Sequence, residues 1–333
     1  SGTITAGAIT IPNTDGTANQ VLKTDGSGTL SWSTPSSGSG GVPYTGATGA
    51  VNLGAYDLTV NGMTVGKGGG AVASNTANGN QALYSNTTGS GNTANGDFAL
   101  RFNTTGDYNT ADGYLALRSN TTGYANTANG FAALVQNTTG NSNTANGRGA
   151  LYSNTTGYAN TANGLQALQT NTTGGNNTAN GSYSLYSNTT GGANTANGYY
   201  ALYSNTTGSN NVANGQQALK ANTIGDQNIA AGALALGSNT EGDDNIAHGT
   251  QSLYSNTTGS KNVAYGTTAL YSNTTGSQNV ANGHESLFYN TTAANNTANG
   301  FWSLKSNTTG YNNTATGAFA LQNNITGIEN VAN

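Results

Sequence analysis

The side chains able to do chemistry are few, and their spacing limits what they could do. Among twelve Asp and Glu, the tightest cluster is Glu241-Gly-Asp-Asp244, with Asp226 seventeen residues before Asp243. A glycosidase pair needs two carboxylates about 5 to 10 Å apart, one with a raised pKa. A calcium site needs about six or more oxygens from several directions. A single Gly-Asp-Asp does not supply a calcium shell. Asp226 and Asp243, though near enough to pair if stacked, fall at an exposed turn position, so the segment reads as a solvated turn, with a weak cation site as the alternative. His248 and His284 have no Cys and no second His close by in sequence, which argues against zinc or a catalytic triad. Gly66-Lys-Gly-Gly-Gly70 lacks the Gly-Lys-Ser/Thr ending of a phosphate-binding loop. No catalytic residue, metal ligand or cofactor is expected, and the chain does not read as an enzyme.

Two recurrent patterns remain. Tyr84, Tyr152, Tyr186, Tyr203, Tyr254, Tyr271 and Phe288 are separated by multiples of seventeen residues. Structural stacking at that period would align them into broken aromatic rows, able to pack on neighbouring coils or to bind sugar rings by their faces. Tyr152, Tyr186, Tyr203, Tyr254 and Tyr271 are the candidate surface-binding aromatics. The second pattern is Asn-x-Thr, present in thirteen repeats, as at Asn86, Asn154, Asn188, Asn205, Asn256 and Asn273. In a secreted eukaryotic chain each is formally a glycosylation acceptor; in a bacterial or phage chain each is a bare turn.

What positions these residues is a unit of seventeen residues, repeated fifteen times from Gly79 to Asn333 without insertion or deletion. Counting the leading Gly as position one, position five is always Leu, positions eight and fourteen are always Asn, and position sixteen is always Ala. Position four is Ala or Ser and position fifteen Thr, Val or Ile, whereas positions two, three, six, twelve and thirteen vary freely. A strict period of this length is the signature of a solenoid whose coils stack only on their neighbours. Asn-Thr-Thr-Gly and the Asn-Gly across the unit boundary are turn chemistry, since Gly takes positive φ freely and Asn tolerates it. Between them lie two short runs, one around Ala-Leu and one around Asn-Thr-Ala, each short enough for a strand and too short for a helix. The expected fold is therefore all-β: a parallel β-solenoid with two strands per coil, a coil spacing of about 4.8 Å and a length of roughly 70 Å. The invariant asparagines are expected to form hydrogen-bonded ladders from coil to coil.

Residues 1–61 differ in composition. Thr3-Ile-Thr-Ala and Ala8-Ile-Thr-Ile-Pro12 suggest short strands, with turns at Asp15-Gly16 and Asp25-Gly26. The Ser/Gly-rich stretch 33–41 reads as a linker. Leu58-Thr-Val60 and Met63-Thr-Val65 flank Asn61-Gly62, and residues 62–78 form a lead-in whose Asn75-Thr-Ala-Asn78 matches the end of a unit.

Composition narrows the function classes. Gly makes up 50 of 333 residues, about twice the usual share, and only 6% of residues are charged, about a quarter of the ordinary figure. A net charge of −4 offers no overall basic field for nucleic acid. There is no cysteine to form a disulfide, and no run of eighteen apolar residues to cross a membrane. One Leu per coil returns about 2 kcal/mol against a backbone entropy cost of roughly 17 to 34 kcal/mol. Such a thin coil is expected to share its inner face in an oligomer. The chain starts at Ser1 and stops on an ordinary unit, so the native chain is expected to continue past Asn333 or to meet another subunit there, the N-terminal region being the natural partner.

The motif Asn262-Val-Ala-Tyr-Gly-Thr-Thr-Ala-Leu-Tyr-Ser-Asn-Thr-Thr-Gly276 resembles the repeats of phage and prophage tail-fibre proteins, which are similar to the head repeats of trimeric autotransporter adhesins. Gly16-Thr-Ala-Asn-Gln-Val-Leu-Lys-Thr-Asp-Gly26 and Val42-Pro-Tyr-Thr-Gly-Ala-Thr-Gly49 also resemble tail-fibre segments. The resemblance implies a left-handed parallel β-roll in a three-chain fibre that binds surfaces. Position seventeen, usually Ile in those repeats, is mostly Asn here, so the inner packing is expected to differ. The self-cleaving C-terminal chaperone common in such fibres is absent from this sequence. The function that follows is a structural fibre and adhesin on a virion or outside the cell, a homotrimer or end-to-end filament that spaces and binds a cell-surface receptor, glycan or protein. A secreted non-viral filament or matrix protein is the alternative, and ice binding through threonine ladders is a third.

Overall fold

A computed structural model describes residues 4–6, 9–11, 17, 20–25, 27–33, 58–60 and 63–333. It divides into two bodies, Ser1–Asn52 and Leu53–Asn333. The expected turns at Asp15-Gly16 and Asn61-Gly62, the linker from residue 34 onward, Gly26 and the segment 42–49 lie outside the described residues.

In the first body, Ile4–Ala6 pairs antiparallel with Ile9–Ile11, and Val21–Thr24 with Leu30–Ser33. Asp25 closes the second pair, because its carboxylate accepts the backbone N–H of Ser27 at 2.8 Å and of Thr29 at 3.0 Å. Those bonds stabilise the ionised form and hold its pKa below the ordinary value.

The second body is the solenoid. Leu58–Val60 pairs antiparallel with Met63–Gly66, which pairs antiparallel with Thr76–Gly79. From there the pairing is parallel: Thr76 lies beside Thr93, Thr93 beside Thr110, and so on to Val331, always seventeen residues apart. Within each strand, such as Thr178–Asn180, the middle Ala is fully buried while its neighbours are half-exposed. Position seventeen therefore faces outward. Asn129, Asn146, Asn163, Asn180 and Asn197 each donate an amide hydrogen to the next one along. The expected change of inner packing at this position is not seen, because the Asn is a surface feature and not part of the core.

The expected second strand is absent. The Ala-Leu run is a series of turns in every coil, and the invariant Leu sits at φ between 48° and 53° throughout. The residue at position three is also left-handed, as at Tyr183 (φ 60°) and Tyr200 (φ 57°). For residues with a Cβ this costs roughly 1–2 kcal/mol each, and two contributions offset it. The backbone bonds persist without a strand: Leu185 N–H donates to Ala201 O at 3.0 Å, and Tyr183 N–H to Leu165 O at 2.9 Å. The left-handed turn also aims the Leu inward, where it is fully buried in every coil from Leu83 to Leu304.

Each coil before the last thus encloses Leu at position five, Ala at sixteen, Ala or Ser at four, and Asn at eight and fourteen, while in the last coil Ala320 and Leu321 are partly buried. Three of the four position-four serines donate the hydroxyl to the leading glycine's carbonyl, as Ser184 Oγ does to Gly181 O at 2.8 Å, whereas Ser303 Oγ is buried without a partner. The chain covers its own leucines. The argument for an oligomer from a thin, shared core therefore lapses, and the three-chain reading rests on the resemblance.

The lead-in glycines gain a structural explanation. Gly69–Ala71 forms a short 3-10 turn against the first coil, with Gly69 N–H donating to Leu83 O at 2.9 Å. A Cβ on Gly68 would lie 2.6 Å from Leu83 Cβ, and one on Gly69 would lie 2.5 Å from Tyr84 O. The Gly-rich stretch covers the end of the Leu column.

Candidate binding surface

The asparagines that carry the Asn-x-Thr pattern point inward. Asn86, Asn154, Asn188, Asn205, Asn256 and Asn273 are 0 to 3% exposed. In the seventh coil Asn188 Nδ2 donates to Asn171 Oδ1 at 2.8 Å and to Gly191 O at 2.9 Å. The Gly191 carbonyl also accepts Asn177 Nδ2 at 2.9 Å. Both asparagine ladders are therefore continuous and internally satisfied. Attaching a glycan to Nδ2 would require the coil to open.

The acids of the Asp cluster also have structural work. Ser209 N–H donates to Asp226 Oδ1 at 2.6 Å, and Asp226 N–H to Asp243 Oδ1 at 2.7 Å. Each carboxylate accepts a backbone N–H of the coil before it. His248 lies against Tyr265 at 5.8 Å, and His284 stacks on Phe301 at 5.5 Å. Among the described residues no group of three His, Cys, Asp or Glu could hold a metal ion.

Aromatic rows are where the sequence-level candidates meet. Tyr186 stacks on Tyr203 with ring centres 5.1 Å apart and planes 14° apart. Tyr254 stacks on Tyr271 at 5.5 Å, and Tyr271 on Phe288 at 5.1 Å. Tyr152 belongs to neither row and instead lines a shallow cleft with Phe131, Arg148, Gln166 and Gln169. Tyr84, at the first coil, is 66% exposed.

The seventeen-residue spacing did not reveal that positions two and three join these rows. Tyr183 stacks on Tyr200 at 5.2 Å and contacts Tyr186 at 5.9 Å, while Tyr199 meets Tyr200 edge-on at 4.2 Å. In a strand, positions three and six would face opposite sides. The left-handed turns put them on one side, so five tyrosines gather over two coils. Phe301, Trp302 and Phe319 form a further group. Burial, with Tyr186 beside it, pushes the Tyr203 phenol above its usual pKa. Hydrogen bonding with Tyr199 and burial raise that of Tyr200.

A surface of stacked, partly exposed rings can bind flat apolar faces, including those of sugars, by shape and dispersion. No family model matches the chain, and no curated protein or solved structure matches it significantly.

Proposed function

We propose that this protein is an extracellular or virion-borne fibre whose solenoid spaces and presents a glycan-binding surface. The observation that carries the reading is the stacking of Tyr183, Tyr186, Tyr200 and Tyr203 into paired rows on one face. Rows of rings held by a rigid parallel ladder are already ordered before a ligand arrives, which lowers the entropy cost of binding. The tail-fibre resemblance supports the same reading and adds a three-chain assembly. The test is binding to a glycan array by the full chain and by Tyr186→Ala/Tyr203→Ala, with thermal melts to establish that both fold. Loss of glycan signal in the variant supports the reading, and equal signal, or none for either chain, removes it.

One observation favours a second reading. Thr76, Thr93 and onward to Thr195 form an unbroken rank on the outer face of the sheet, beside the asparagines of position seventeen. Regular hydroxyls and methyls at a fixed spacing suit an ordered water lattice. Thermal hysteresis in a freezing assay distinguishes this reading from the first.

A further inference from the structure

The charges of the repeats are not evenly spread. Of the six cations in the repeats, Arg101, Arg118, Arg148, Lys220 and Lys305 stand at position two or six, among the aromatics, and Lys261 at position thirteen. Of the nine acids there, Asp107, Asp226, Glu241, Asp243, Asp244 and Glu329 stand at positions ten to thirteen, while Asp97, Glu285 and Asp112 stand at positions two, three and seventeen.

Coils two to five concentrate the pattern. All three arginines of the chain lie there, interleaved with rings. The Arg101 guanidinium is 5.4 Å from the Phe98 ring centre and 4.8 Å from that of Phe102. Arg118 is 5.4 Å from Phe102, and Arg148 is 5.7 Å from Phe131. Tyr114 stacks on Phe131 at 5.6 Å with planes 20° apart, and these two rings remain 46% and 50% exposed.

Among the described residues none of these arginines is in an ion pair, whereas Lys305 pairs with Glu285. Asp97, the acid on the same face, has its Oδ1 engaged by Asn80 N–H at 2.9 Å. Arg101 Nε is buried without a hydrogen-bond partner, and so is Gln169 Oε1. Both belong to open clefts: one of 280 Å³ is lined by Phe98, Arg101, Tyr114, Leu115 and Arg118, and another of 280 Å³ includes Phe131, Arg148 and Gln169.

We infer that this strip binds an acidic polysaccharide, one carrying carboxylate or sulfate groups along its length. Exposed rings offer stacking faces, and guanidinium groups held over aromatic rings keep donors free for planar oxyanions. The two clefts are open and lie in coils two to six, which suits a polymer lying across several coils. The inference rests on the reading of the solenoid as a glycan-binding fibre and adds to it a charge class and a second site, in coils two to five, apart from the tyrosine rows of coils seven and eight.

The test uses the full chain, the triple variant Arg101→Gln/Arg118→Gln/Arg148→Gln and the charge-preserving triple Arg→Lys variant. Thermal melts verify the fold of each. Calorimetry is run with a heparin-derived octasaccharide for sulfate, an oligogalacturonate for carboxylate, maltoheptaose as a neutral sugar and oligothymidylate as a nucleic acid. The expected result is binding of an acidic sugar that weakens with added salt and by about tenfold to a hundredfold in the Gln variant. The Lys variant should retain part of that binding, having the charge without the fork. Maltoheptaose bound as tightly as the acidic sugars, with the Gln variant unaffected, overturns the acidic assignment and leaves glycan binding standing. Oligothymidylate bound more tightly than any sugar overturns it in favour of nucleic acid. An absence of binding to every sugar overturns both readings.

Discussion

At the scale of single residues, the inward and outward assignments make opposite demands on adjacent side chains. Leu185 is fully buried while Tyr186 is half-exposed in a row. Leu185→Ala should therefore cost about 2–5 kcal/mol through the cavity it leaves, and Tyr186→Ala much less. Equal shifts in chemical denaturation midpoints would contradict the assignment. Asn188 provides a sharper case, since its amide donates to two buried acceptors. Asn188→Ala should cost about 1–3 kcal/mol, because Asn171 Oδ1 loses its donor and the Asn205 amide loses Asn188 Oδ1 as acceptor, while Gly191 O keeps Asn177 Nδ2. Asn188→Asp should cost more at neutral pH, because it sets a carboxylate against two oxygens, and the difference should shrink as the pH falls and the acid protonates. Denaturation of both variants at two pH values checks the order. The burial of Leu and of both asparagine ladders was legible in the repeat, because positions that never vary across fifteen copies are those the architecture dictates.

At the scale of the element, turn geometry decides what the period alone could not. A short strand around Asn-Thr-Ala was legible from its length and its flanking turns, but its facing was not: the departure at position seventeen points to altered inner packing, and Asn180 instead lies half-exposed beside the buried Ala179. The Ala-Leu run was not legible, because Leu has no propensity for positive φ and only the stacked ladder places it there. The joining of positions two, three and six into one aromatic face was hidden for the same reason. The Asn-Thr-Thr-Gly turn shows how tight the stack is: Thr189, Thr190 and Gly191 N–H all donate to Thr206 O, at 2.9, 3.3 and 3.4 Å. A Cβ on Gly191 would lie 2.4 Å from Gly208 O. Position eleven holds Ala293 in one coil, where Thr291 N–H donates to Thr308 O at 3.1 Å and the other two bonds are missing; they are also missing beside Gly310 in the next coil, so the close approach of the Cβ is what carries the cost. Gly191→Ala should accordingly cost about 1–3 kcal/mol, read as a shift in denaturation midpoint, and an unchanged midpoint would show that the turn adapts freely. The tyrosine cluster adds a pH dependence. The folded state raises the phenol pKa of Tyr203 above the ordinary 10.0, so its contribution is complete below that value and is lost as the pH climbs through the raised one. Tyrosinate absorbance lost on Tyr203→Phe should titrate above 10; a component at or below 10 would refute it.

At the scale of the whole molecule, the proposed three-chain assembly and the closed single-chain core make a joint demand. Each coil before the last buries its Leu, Ala and Asn against its own neighbours, and stability in such a stack is a sum of coil and interface terms along one chain. Any trimer must then be held by outer surfaces. Candidates are the aromatic rows and the sheet face, where Val212, Ile229, Ile246, Val263 and Val280 replace the threonine rank with an apolar one. Three chains joined this way can separate without opening the leucine column. Light scattering should give about three times the 33.2 kDa chain mass. Dilution or mild denaturant should bring that mass down to one chain before the β-sheet signal in circular dichroism falls. If mass and β signal are instead lost in one transition, the chains share a core that a single coil does not possess. A monomer at micromolar concentration, fully folded, would remove the trimer and leave the solenoid as a fibre that acts one chain at a time.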